Sequence, residues 1–133
     1  MFVDTSAWVA LVIANDIHHE EAKKIFPELL KGRLLTTNLV VAETYIILRR
    51  AAGLEPALEF LQTMETSPRI QRIYSDEGLE RKAVEILRRY KDHDLSYVDA
   101  VSFALMQREK IKEAFAFDRH FQTLGFRLIP GQA

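Results

Sequence analysis

The chain has 133 residues, with 18 Lys and Arg against 19 Asp and Glu, and no cysteine. That length suits one domain, residues 1–133, with a layered core; the absence of thiols excludes disulfide scaffolds and thiolate metal sites and fits a reducing, cytoplasmic setting. The near balance of charge excludes a strong overall field, and the apolar stretch Ala7 to Ala14 is too short to cross a bilayer, so a soluble protein with no membrane partner is expected.

Met1 to Asp4 is short, apolar and β-prone, and it runs directly into Thr5 to Ala14, where Ala7, Trp8, Leu11 and Val12 recur at helical spacing. His18 to Leu30 places Ala22, Ile25, Phe26, Leu29 and Leu30 on one helical face, with Pro27 expected to kink or divide it. Arg33 to Thr37 reads as a second strand. Asn38 is expected to cap a helix to Ala52 that Gly53 stops, and Pro56 sits in the first turn of a further helix, Glu55 to Thr66. Ile70 to Tyr74 alternates like a strand or extended connector, and Ser75 opens a charged helix through Tyr90. After the polar loop Lys91 to Asp94, a helix from Ser96 to about Lys110 is expected, then a strand Glu113 to Phe117, a short helix Asp118 to Leu124, and a last strand Phe126 to Ile129. This alternation predicts an α/β fold with a mostly parallel sheet covered on both faces.

Four acids each close a short apolar run: Asp4, Glu43, Asp99 and Asp118. Carboxylates at the edge of a core are costly to desolvate unless something positive or hydrogen-bonding meets them. Asp4 and Asp118 stand where a strand meets a helix, so each could simply be a helix cap. Asp99 follows Ser96 in a Ser-x-x-Asp arrangement, which could be only a capping box. Glu43 resists that explanation, because it lies inside its helix and its neighbours one turn away, Leu39, Val40, Ile46 and Ile47, are all apolar. It is expected either to pair with an arginine or to face a cavity.

If the four converge at one sheet edge, their repulsion demands a cation or proton uptake. Oxygen ligands without cysteine favour Mg²⁺ or Mn²⁺, and two such ions could lower the pKa of bound water and clamp the oxygens of a phosphodiester. That chemistry is nuclease chemistry. Ser6 and Ser96 have no histidine partner set by spacing and are expected to support the acids. His18, His19 and His93 read as solvated, as does His120 despite its nearness to Asp118. Among the basic residues, Arg49, Arg50 and Arg119 lie near elements of the proposed site and are the best candidates for phosphate contact.

Val3-Asp4-Thr5-Ser6, Val41-Ala42-Glu43, Leu95-Ser96-Tyr97-Val98-Asp99-Ala100 and Phe117-Asp118-Arg119-His120-Phe121, in this order, resemble the PIN-domain family, in particular its VapC-like ribonuclease toxins. The resemblance spans nearly the whole chain. It implies a single-domain three-layer α/β/α sandwich and a Mg²⁺- or Mn²⁺-dependent endoribonuclease, with Asp4, Glu43, Asp99 and Asp118 as the catalytic metal site and Ser6 supporting it. It also implies an RNA substrate, a homodimer, and a cognate antitoxin whose tail blocks the groove. One departure is Ala116, where many relatives carry a hydroxyl residue; Asp94 could supply a further carboxylate. An alternative is a PIN-like module that binds RNA or protein without cleaving. A phosphoacceptor receiver would want an adjacent acidic pair after the first strand, and a dehalogenase-like phosphatase an Asp where Ser6 stands, so both are disfavoured.

Overall fold

The apolar runs become the strands of one sheet. A computed structural model describes residues 1–131, and in it the strands are β1 (Phe2–Val3), β2 (Leu34–Thr37), β3 (Ile70–Ile73), β4 (Glu113–Phe115) and β5 (Arg127–Ile129). Between them run helices α1 (Thr5–Val12), α2 (His19–Leu29), α3 (Asn38–Ala52), α4 (Leu54–Thr66), α5 (Glu77–Arg89), α6 (Tyr97–Arg108) and α7 (His120–Thr123). The sheet order is β3-β2-β1-β4-β5, and every adjacent pair is parallel.

Side chains alternate across a strand, so the register assigns each central residue to a layer. Phe2 lies beside Ala114, and Val3 beside Phe115. On the Phe2 side, Phe121 of α7 packs against Phe2 at 6.2 Å and against Phe103 of α6 at 4.8 Å between ring centroids. On the opposite side, Phe115 meets Phe26 of α2, and Trp8 of α1 stands edge-on to both Phe26 and Phe60 of α4. Phe2, Val3, Ala114 and Phe115 are fully enclosed, as expected for strands covered on both faces. Each such aromatic contributes about 1.5–3 kcal/mol from burial alone. The helices are therefore two layers around one sheet, the α/β/α sandwich expected.

Several boundaries differ from expectation. Pro27 neither splits nor interrupts α2, because it lies in the last turn and removes a single backbone donor, while Leu30 N still donates to Phe26 O at 3.0 Å. Asn38 is not the cap of α3; Thr37 is, its hydroxyl accepting from Val40 N at 3.0 Å. The Asn38 carboxamide instead accepts from Ser75 N at 2.8 Å, tying α3 to the loop before α5. Asp76, not Ser75, caps α5. β4 stops at Phe115, where its pairing with β5 ends, and α7 starts at His120, so Asp118 lies on the link between them.

Gly53 turns the chain from α3 into α4 with φ of +96°, a region open to glycine. A Cβ there would meet nothing within 4 Å, so the penalty for a side chain is conformational and not steric. Gly53→Ala should lower stability by about 1–2 kcal/mol, read as a lower urea midpoint with an unchanged slope.

Candidate metal-dependent active site

The sheet order creates the site. The chain runs from β1 outward to β2 and β3, then crosses back to place β4 on the other side of β1. In open parallel sheets this reversal opens a crevice at the carboxyl ends of the strands on either side of it. β1 delivers Asp4 to that crevice, and the segment leaving β4 delivers Phe117 and Asp118. Asp4 N donates to Phe115 O at 3.0 Å, which holds the two strand ends together.

A cavity of about 380 Å³ lies there, and Asp4, Glu43, Asp99 and Asp118 all line it. Asp4 is 3 % exposed; it caps α1, and its Oδ2 accepts from Ser6 N at 3.2 Å and Ser6 Oγ at 2.7 Å. Ser6 Oγ in turn accepts from Phe117 N at 3.0 Å, so one hydroxyl joins the acid after β1 to the segment after β4. Asp99 and Ser96 form the full capping box at the start of α6. Asp99 Oδ2 accepts from Ser96 N at 3.2 Å, and Ser96 Oγ accepts from Asp99 N at 2.9 Å. Ser96 thus acts on Asp99 alone and does not reach the cavity. Asp118 Oδ1 accepts from His120 N at 2.9 Å, closing the turn into α7.

The capping roles weighed for Asp4 and Asp99 are therefore real, and they coexist with convergence. Glu43 rises from the second turn of α3 on the cavity wall. Among the described residues it has no ion pair and no hydrogen bond, so no arginine accounts for it. Ile46 and Ile47 beside it are 48 % and 37 % exposed, so this face of α3 opens outward.

Burial pushes the Asp4 carboxyl up to about 7, reinforced by the nearby Asp99 and Asp118 and opposed by the Ser6 hydrogen bonds. Asp99 is raised by burial first and by Asp118 second. Asp99, Asp118 and His120 each present a ligand atom, all within 4.8 Å of one another. A pocket of hard oxygen donors in which Asp4 and Asp99 resist ionisation fits a divalent cation, which would neutralise them.

Other expected contributors fall outside this set. Asp94 is exposed and lies away from the cavity, and Ala116 is enclosed in the core without lining it, so its missing hydroxyl leaves no gap in the wall. Arg49, Arg50 and Arg119 are exposed. His18 and His120 correct the expectation of solvated histidines. The His18 ring stacks on Phe117 at 4.2 Å with 7° between planes, and both line the cavity with Thr5 and Asp16. The Asp-x-His spacing of Asp118 and His120 was a legible signal; the pairing of His18 with Phe117, from opposite ends of the chain, had none.

Ser6→Ala removes a donor to Asp4 and leaves the Phe117 amide without its acceptor. We expect a loss of roughly 1–3 kcal/mol in stability, measured by thermal unfolding.

A parallel β3-β2-β1-β4-β5 sheet with four acids at its reversal point defines a PIN-type nuclease fold, and the PIN domain profile matches residues 1–127. The chain belongs to the PIN-domain family. Within it the chain stands with the VapC ribonucleases: it is 37 % identical over 127 residues to the 23S rRNA-specific endonuclease VapC20 of Mycobacterium tuberculosis, covering 95 % of each chain. It is 30 % identical over 129 residues to a VapC ribonuclease of Archaeoglobus fulgidus, covering 92 % of this chain and 81 % of that one. The crystal structure of M. tuberculosis VapC20, described as a sarcin-ricin loop cleaving toxin, superposes with a TM-score of 0.88 at 35 % identity, covering 94 % of this chain and 95 % of that one.

Proposed function

We propose that this chain, one PIN-like domain over residues 1–133, is a metal-dependent endoribonuclease and the toxin of a toxin-antitoxin pair. The observation that carries this reading is the convergence of Asp4, Glu43, Asp99 and Asp118 on one cavity at the carboxyl edge of a parallel sheet. Asp4, Asp99 and Asp118 hold the cation, Glu43 completes or orients the site from the facing wall, and Ser6 and Ser96 fix the directions of Asp4 and Asp99. A bound Mg²⁺ or Mn²⁺ supplies charge neutralisation and Lewis acidity at the phosphodiester. The carboxylates keep that charge in place, and the exposed Arg49, Arg50 and Arg119 neutralise flanking phosphates.

Relatives at 35–37 % identity are named for cleaving 23S rRNA and the sarcin-ricin loop, so a structured ribosomal stem-loop is the first substrate to test. We further propose a homodimer, cytoplasmic action, and inhibition by a cognate antitoxin. Among the described residues no helix is long and apolar enough to cross a membrane. The test is cleavage of ribosomal and unstructured RNAs with Mg²⁺, Mn²⁺ or EDTA, using the wild type and Asp99→Asn. Cleavage by the wild type that requires a divalent ion and vanishes in the variant is expected. Cleavage that survives EDTA or the substitution rejects the mechanism, and tight RNA binding without any cleavage would instead mark a binding module.

A further inference from the structure

His120 stands outside the four-carboxylate set, yet its ring reaches into it. Its Nδ1 is shielded from solvent, 3.3 Å from Asp118 Oδ1 and 3.6 Å from Asp99 Oδ2, and it makes no hydrogen bond. An imidazole nitrogen carries either a proton or a lone pair. With a proton, it can form only ion pairs with Asp118 Oδ1 and Asp99 Oδ2, without a well-formed hydrogen bond to either. With a lone pair, three electron-rich atoms face one another within 4.8 Å, and nothing in the protein lies between them to relieve the repulsion.

A cation resolves the second arrangement. Neighbouring ligands around an octahedral ion with bonds of ~2.1 Å lie about 3 Å apart, so small inward shifts seat all three atoms on one ion. A second polar atom points the same way: Thr5, on the wall of the same cavity, has a buried hydroxyl oxygen with no partner.

We infer that His120 Nδ1 joins Asp99 Oδ2 and Asp118 Oδ1 in a nitrogen-containing cation subsite that favours a first-row transition ion over Mg²⁺. The inference rests on the metal-dependent reading above. Mg²⁺ prefers oxygen and gives up water reluctantly, whereas imidazole binds transition ions well, so one nitrogen in an oxygen set shifts the preference. Because Mn²⁺ is the weakest binder of the divalent first-row series, any preference seen with it is a lower bound for the others.

The experiment uses the full chain with Mn²⁺ alone, at less than one equivalent, and reads nitrogen hyperfine coupling by pulsed electron paramagnetic resonance. Coupling is expected in the wild type, with its frequency altered by isotope-labelled histidine, a control that needs no substitution. It should persist in His18→Gln, whose ring lines the cavity, and disappear in His120→Gln. Calorimetry should show His120→Gln weakening Mn²⁺ binding roughly tenfold or more while changing Mg²⁺ binding by less than about threefold. Mn²⁺ bound without nitrogen coupling, or coupling that survives His120→Gln, overturns the role of His120 and leaves the nuclease reading intact. A wild type that neither binds Mn²⁺ nor cleaves RNA overturns both.

Discussion

Asp4→Asn should lose RNA cleavage by roughly three orders of magnitude and, in EDTA at about pH 8, should unfold at a higher temperature than the wild type. The two effects share a cause. Asp4 is almost fully enclosed, and its carboxyl is raised from 3.8 to about 7 by burial and by its acidic neighbours. Between those two values the folded protein keeps a proton that the unfolded chain has released, so stability falls as pH rises through that window. Above about 7 the whole cost is present, of the order of a few kcal/mol. Asparagine keeps an acceptor for the Ser6 amide and cannot ionise, so it removes the cost at alkaline pH and changes little at about pH 4. Thermal unfolding of both proteins across pH checks the sign. A variant less stable than the wild type throughout would show that Asp4 is held as a satisfied structural carboxylate and not as a strained ligand.

Divalent cations should reverse that strain. At a hundredfold excess over the dissociation constant, Mg²⁺ or Mn²⁺ should stabilise the wild type by about 2.7 kcal/mol, or roughly 8–12 °C in melting temperature for a chain of this size. Ligands must be deprotonated to bind, so the gain should shrink markedly at about pH 5, where Asp4 holds its proton. EDTA should abolish both the stabilisation and the cleavage. Melting curves with and without cation at the two pH values test this, and a shift of equal size at both would place cation binding away from these acids.

Glu43 shows how far local pattern reaches. Four apolar neighbours one turn away made its carboxylate anomalous, and the structure answers with an open face and a cavity instead of an ion pair. Asp4 and the Ser96–Asp99 box were legible as caps for the same local reason, since the free amides of a helix start are satisfied within three residues. Asn38 and His120 show where local pattern stops. Local pattern makes the Asn38 carboxamide a cap, yet it bonds Ser75, far along the chain; it makes the His120 imidazole solvated, yet the ring reaches Asp99 across the sheet edge.

The sequence by itself determined the alternation of strands and helices, the apolar runs and the acids that close them, because periodicity, capping and turn chemistry depend on residues a few positions apart. Only the tertiary structure decided that β4 lies beside β1 and not beside β3, which brings Asp4 and Asp118 to one crevice and closes Ser6 onto Phe117. The physical reason is that strand order is chosen by burying both faces of the whole sheet at once, a long-range condition that no short stretch of chain encodes.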